Sequence, residues 1–213
     1  FQNWIHRGGF DNYLFTPNGE IHRTLTRLAF TNLLHPFQPF ILGQKNFAPK
    51  MALRYGLPLV FYGENEAEYG NAIDENTDAR RKLDYFAVTE EDLDSIYLGG
   101  VALTEMEAHG IQPAQLEPYL PADPDVLEGA GIEVHYLGYY LKWTPKNNYY
   151  YSVEHCGFEA NSERTEGTYS KYSGIDDKTD PFHYWTTLVK FGIGRTTYDA
   201  SQEISNNHID REE

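Results

Sequence analysis

In a chain where acids outnumber bases 32 to 17, an arginine and a lysine stand within thirteen residues that also carry five serine and threonine hydroxyls. The stretch runs Asn161-Ser162-Glu163-Arg164-Thr165-Glu166-Gly167-Thr168-Tyr169-Ser170-Lys171-Tyr172-Ser173. A guanidinium grips phosphate or carboxylate at two points, and hydroxyl and backbone donors can complete such an anion cradle. Lys190 and Arg195 flank Gly192-Ile193-Gly194 further on, so four cations are candidates for meeting an anionic ligand. Each could equally be paired with a neighbouring acid.

Two further stretches have chemistry-bearing types. Gly63-Glu64-Asn65-Glu66-Ala67-Glu68 follows an apolar run directly; its glycine permits a sharp turn, and its acids and amide could bind hydroxyls, amines or Mg2+. The alternative is a solvated acidic turn. Gln44-Lys45-Asn46 lies between Gly43 and an expected helix start, where free backbone N–H groups and a lysine would suit an anion. Lys45 could also be an ordinary surface charge.

A formal charge of −15 argues against binding nucleic acid or anionic membrane. Cys156 is the single cysteine, which excludes an internal disulfide framework and fits a reducing, cytoplasmic setting. The eight histidines have no zinc-type spacing, and His22, His35, His135 and His155 read as packing or surface residues. No metal site is expected from spacing, and no apolar run approaches the length of a membrane span.

The elements that must position these residues follow from pattern. Glu20 to Leu34 has helical spacing at Ile21, Leu25 and Leu28, with Pro36 and Pro39 beyond its end. A second helix is expected from Phe47 to Tyr55, with Pro49 in its first turn and Gly56 after its end. Leu57 to Tyr62 suits a buried parallel strand, and Ile132 to Trp143 returns to strand composition. Their expected arrangement is one sheet, with Gly63 and Thr144 on the same edge.

Residues 66–130 are acidic and broken by Gly99-Gly100 and several prolines, and read as a helical insertion or lid. A helix from Pro145 to about Cys156, a polar loop from Gly157 to Asp180, and helices Pro181–Phe191 and Thr196–Ile204 complete the chain. Strand and helix alternation predicts an α/β fold with a parallel sheet, whose ligands sit beyond the strands' carboxyl ends. The opening at Phe1-Gln2-Asn3-Trp4 and the closing Asp210-Arg211-Glu212-Glu213, which has capping-box spacing, read as cut ends or as a frayed polar tail.

The segments YGENEAEYGN, VHYLGYYLKW and ERTEGTYSKYSGIDDKTDPFHYWTTLVKFGIGRTTYDASQEI, with the opening NWIHRGGFDNYLF, resemble the N-acetyl sugar amidotransferase family of lipopolysaccharide and flagellar-sugar biosynthesis. The resemblance implies a Rossmann-like fold of the PP-loop ATP pyrophosphatase type, of which residues 1–213 would be the C-terminal part. It implies conversion of an acetamido group on a nucleotide-linked sugar to an acetamidino group, with ATP and Mg2+ as cofactors. Ammonia would come from glutamine through a glutaminase subunit. Glu64, Arg164 and Lys171 would then be catalytic; Gln44, Lys45, Asn46, Gly63, Asn65, Glu68, Thr165, Glu166, Tyr169, Lys190 and Arg195 would bind sugar or nucleotide.

The chain departs from that family's pattern in two places. Gly63-Glu64-Asn65-Glu66 has Glu64 where PP-loop enzymes commonly place a histidine. The family's Ser-Gly-Gly-x-Asp-Ser phosphate loop and N-terminal cysteine cluster do not occur in the sequence. A non-catalytic sugar-nucleotide-binding or subunit-docking module is the alternative function.

Overall fold

A computed structural model describes residues 2–63, 78–83 and 95–212. Its helices are α1 (Gln2–Gly8), α2 (Gly19–Leu33), α3 (Gln38–Tyr55), α4 (Pro124–Gly129), α5 (Pro145–Tyr151), α6 (Asp180–Phe191) and α7 (Arg195–Ser205). Its strands are β1 (Leu59–Tyr62), β2 (Tyr97–Leu98), β3 (Val101–Ala102) and β4 (Glu133–Tyr136). The chain divides into two units, one of Pro17–Lys142 and one of Phe1–Thr16 with Trp143–Glu213.

In the Pro17–Lys142 unit, Asn18 caps α2 by accepting from the Glu20 and Ile21 amides at 2.9 and 3.5 Å. The apolar spacing then buries Ile21, Leu25 and Ala29. Against Ile21 and Leu25 pack Leu98, Val101, Met106, Ile111, Leu116 and Tyr119. The short 3-10 turns Leu103–His109, Pro113–Gln115 and Glu117–Tyr119 carry much of that surface. The residues expected as an insertion therefore share a core with α2, as far as they fall within the described part.

Gly99 and Gly100 make the two-residue turn between β2 and β3, both at positive φ. A Cβ on Gly99 would lie 2.8 Å from the Leu28 Cβ, so the turn approaches α2 more closely than any side chain allows. Asn32 Nδ2 donates to the Gly99 carbonyl at 2.9 Å, and the Gly99 amide donates to Gln38 Oε1 at 2.8 Å.

The expected helix start at Phe47 is overturned. One helix runs from Gln38, with Pro39 in its first turn, straight through Pro49 to the left-handed cap at Gly56. Pro49 has no N–H to give the carbonyl of Lys45, four residues earlier. That carbonyl instead accepts from the Tyr62 hydroxyl at 2.7 Å and from Arg81 Nη1 and Nη2 at 3.3 and 3.4 Å. Tertiary partners thus remove the penalty that would otherwise stop the helix.

β1 and β4 pair in parallel, Leu59 opposite Glu133 and Tyr62 opposite Tyr136. Ala52, Val60, Leu127, Ile132 and Val134 form the core cluster at this sheet. The two segments share one sheet, as expected, but β1 is not the buried strand expected: Leu59 and Phe61 are 47% and 49% exposed, because β4 is its one neighbour among the described residues. The second strand is shorter than expected, because the backbone turns at Leu137–Tyr139. The residue level with Gly63 at the carboxyl end is accordingly Leu137, and Thr144 falls in the other unit. The architecture is mixed α/β, mostly helical, and among the described residues each sheet has two strands.

In the other unit, α5 continues as a π-helical turn, Ser152–Cys156, ending at Gly157. α6 and α7 agree with expectation to within a residue or two, and Gly192 caps the first of them. Among the described residues, no helix is long and apolar enough to cross a membrane.

Candidate functional site

The hydroxyl-rich loop folds back on itself. The Asn161 amide donates to the Lys171 carbonyl at 2.9 Å, and the Thr165 amide to the Ser170 carbonyl at 2.8 Å. Thr165 Oγ1 donates to the Ser173 carbonyl at 2.7 Å, and Ser170 Oγ to Ser173 Oγ at 2.8 Å. The tip is pinned to α7: Thr196 Oγ1 donates to the Gly167 carbonyl at 2.6 Å, and Thr168 Oγ1 to the Asp199 carboxylate. Thr165, Thr168 and Ser170 are all buried. These hydroxyls shape the loop and have their hydrogen bonds within the protein.

Beneath the loop lies an ion pair. Arg195, the first residue of α7, is paired with Asp180, and the two side chains are 3% and 13% exposed. The guanidinium carbon sits 4.1 Å from the centroid of the Tyr184 ring, and its Nε is buried without a hydrogen-bond partner. Gly174 closes over the pair: a Cβ there would come within 2.0 Å of the Asp180 carboxylate.

The four candidate cations therefore have different surroundings. Arg195 is consumed by Asp180. Lys171 is exposed and donates to the Ser162 carbonyl at 2.8 Å. Lys190 is exposed, with its ammonium 5.2 Å from the Phe191 ring centroid. Arg164 and Glu166 are exposed on the loop. Thr165 is internal, and Tyr169 lines a cleft beside α7.

In the Pro17–Lys142 unit, Gln44-Lys45-Asn46 sits in the interior of α3, where amides are bonded along the helix and none is left for an anion. The expectation of a helix N-terminus there is overturned for the reason Pro49 supplies. Asn46 is buried and donates to the Tyr119 carbonyl at 3.0 Å. Gln44 is exposed, and its carbonyl accepts from Tyr62 at 3.2 Å. Burial, and then the nearby Arg81 charge, lower Lys45 to about 8. Gly63 stands at the end of β1; Glu64, Asn65 and Glu68 lie outside the described residues.

The cleft is the feature that sequence reading missed. Asp199, Gln202, Glu203 and Asn206 are spaced three and four apart, so one face of α7 is a polar stripe. Facing it are Tyr169, Ser170, Tyr172 and Ser173 of the loop and Pro145 and Lys146 of α5, with His208 beyond the helix end. Together they line a small cleft of about 50 Å3. Lys146 Nζ meets Glu203 at 3.1 Å, and the Glu203 side chain is only 13% exposed.

Burial raises the Asp199 carboxyl, against the opposing effects of the Thr168 hydrogen bond and the Arg195 charge. Tyr169 and Tyr172 are each pushed up to about 12, first by burial and then by the neighbouring acids. The Tyr172 ring stacks on Tyr149 at 4.1 Å and 12°, which fixes that wall. A signal was present in the sequence: the polar i, i+3, i+4, i+7 pattern falls on the side of α7 that faces protein.

The lining of the cleft does not suit the phosphates of ATP. Thr165, Thr168 and Ser170 donate within the protein, Arg195 is paired with Asp180, and Asp199 and Glu203 repel anions. Among the described residues no three His, Cys, Asp or Glu side chains come together in a way that could hold a metal ion.

Residues 166–213, less than a quarter of the chain, match the family model for the C-terminal domain of WbpG-like LPS biosynthesis proteins. The matched span begins within the loop and contains α6, α7 and most of the cleft lining. No curated protein matches the chain.

Proposed function

We propose that the chain acts in the biosynthesis of lipopolysaccharide-type surface sugars, as the C-terminal part of an ATP-dependent amidotransferase. The reaction replaces the acetamido oxygen of a nucleotide-linked sugar by nitrogen from ammonia, giving an acetamidino group. ATP, Mg2+, the glutaminase partner and a cytoplasmic setting belong to this reading. The carrying observation is the match of residues 166–213 to a family of LPS biosynthesis proteins, over the segment that builds the loop and the cleft.

Because the cleft lining offers no phosphate grip, its part in this reading is to hold the sugar end. The cleft supports that role: its carboxylates, amides and neutral phenols are hydrogen-bonding groups suited to an uncharged or cationic ligand. A second reading, a non-catalytic sugar-nucleotide-binding or subunit-docking module, is favoured by the internal use of the loop hydroxyls.

The test uses the protein expressed from its complete reading frame. It is incubated with ATP, Mg2+, ammonium and a panel of nucleotide-linked N-acetylhexosamines, and products are read by mass spectrometry. Replacement of the acetamido O by NH, with pyrophosphate release, is the expected result. Sugar-nucleotide binding without any amidine product would leave the docking module standing instead.

A further inference from the structure

A surface helix normally turns its apolar residues inward and its polar residues to water. α6 does the reverse. Its Thr186 is fully buried, and the Thr186 and Thr187 hydroxyls donate back to the His183 carbonyl at 2.8 and 2.9 Å. Tyr184 packs on the guanidinium of the buried Arg195. The large apolar residues point the other way: Phe182, Trp185 and Val189 are 59%, 53% and 56% exposed, and Leu188 beside them is 48% exposed.

Phe182, Trp185, Val189 and Gly192 are spaced three, four and three apart, so they form one line along the helix. That is the a-d-a-d spacing of a helix seam. The line carries no charged side chain, so a second copy of it meets no like charge. It is also self-complementary. When two copies run antiparallel about a two-fold axis level with Thr187, Trp185 meets Val189 of the other copy and Phe182 meets Gly192. A large side chain then faces a small one in every layer, which is the alternation that lets two helices interdigitate. A parallel pair would set each aromatic ring against its own copy.

The exposed area is sufficient for association. Phe182, Trp185, Leu188 and Val189 each leave on the order of 100 Å2 uncovered. With the flanking backbone and side chains, a symmetric pair removes about 1,000 Å2 from water, the size at which specific interfaces begin.

We propose that α6 is a homodimer interface, the apolar stripe of one copy packed antiparallel against that of a second. The pairing is independent of the reaction proposed above, since none of the stripe residues lines the cleft.

Sedimentation velocity on the protein expressed from its complete reading frame, from about 1 to 100 µM, reads the association. A dimer with a dissociation constant on the order of micromolar is expected. Trp185→Glu and, separately, Val189→Glu should raise that constant about thirtyfold or more. Both positions are more than half exposed, so each variant should keep the parent circular dichroism spectrum. Val189→Trp should also weaken the pair, by setting two indoles against each other. Combining it with Trp185→Val exchanges large and small across the axis and should restore the parent constant to within about threefold.

A monomer at every concentration would overturn the proposal; it is the result expected if another part of the protein or a different macromolecule covers the stripe. A dimer that folded Trp185→Glu and Val189→Glu leave undiminished, or one that the exchange does not restore, would overturn it as well.

Discussion

Pro49 stands four residues after Lys45 inside α3, and the Lys45 carbonyl that this proline cannot bond is taken by the Tyr62 hydroxyl at 2.7 Å. Arg81 supports the same oxygen from a segment hydrogen-bonded along β4. Tyr62→Phe should cost about 1 kcal/mol of stability in the native background, as for one net hydrogen bond. In a Pro49→Ala background the helix recovers its own N–H donor, and the same substitution should cost less than half as much. A double-mutant cycle by urea denaturation measures the difference. Equal costs in both backgrounds would show that the two residues are not coupled.

Gly99 has positive φ and no space for a Cβ against α2. Gly99→Ala should therefore destabilise by about 2 kcal/mol or more, through strain and loss of the Leu98 and Val101 packing. Gly110, also at positive φ but with nothing within 4 Å of a Cβ, is the control and should lose less. Thermal melts of the two variants decide this.

The Asp180–Arg195 pair is buried under the loop. Arg195→Met leaves a buried carboxylate without its partner and should cost about 3–5 kcal/mol. Replacing both residues by apolar ones of similar volume should be much less harmful. The equilibrium stabilities of the single and double variants, measured together, test this contrast.

Asp199 has its carboxyl raised by burial, so the folded state holds this proton more firmly than the unfolded chain does. Stability from this group is therefore lost as pH rises through the raised value, and the burial penalty is fully present above it. Asp199→Asn should melt higher than the parent at pH 8. The gap should narrow as pH falls towards the ordinary value of 3.8. Melting curves across that range test the sign; a gap that widens on acidification would contradict it.

Arg164 is exposed on the loop. Arg164→Ala should change stability by no more than about 0.5 kcal/mol. Any loss of sugar-nucleotide affinity by this variant, measured by calorimetry, would then report ligand contact. Unchanged affinity removes Arg164 from the proposed site.

Local patterns in the sequence were enough for α2, α6, α7 and the place of β1 though not its burial, because a cap, an apolar period or a short apolar run acts within a few residues. Asn18 and Gly56 act that way, and their roles are legible without any partner. Pro49 is different: it reads as a helix start until Tyr62 and Arg81, 17 and 36 residues from Lys45, supply the missing donors. The loop hydroxyls of 165–173 likewise looked available for a ligand, and only the folded loop shows that Thr165, Thr168 and Ser170 are already bonded. The cleft needed both kinds of information. The spacing of Asp199, Gln202, Glu203 and Asn206 puts them on one face of a helix, but whether that face meets water or protein depends on where the loop and Lys146 lie. Hydrogen bonds and burial between distant segments are set by chain closure in three dimensions, and a linear pattern carries no record of which partners closure brings together.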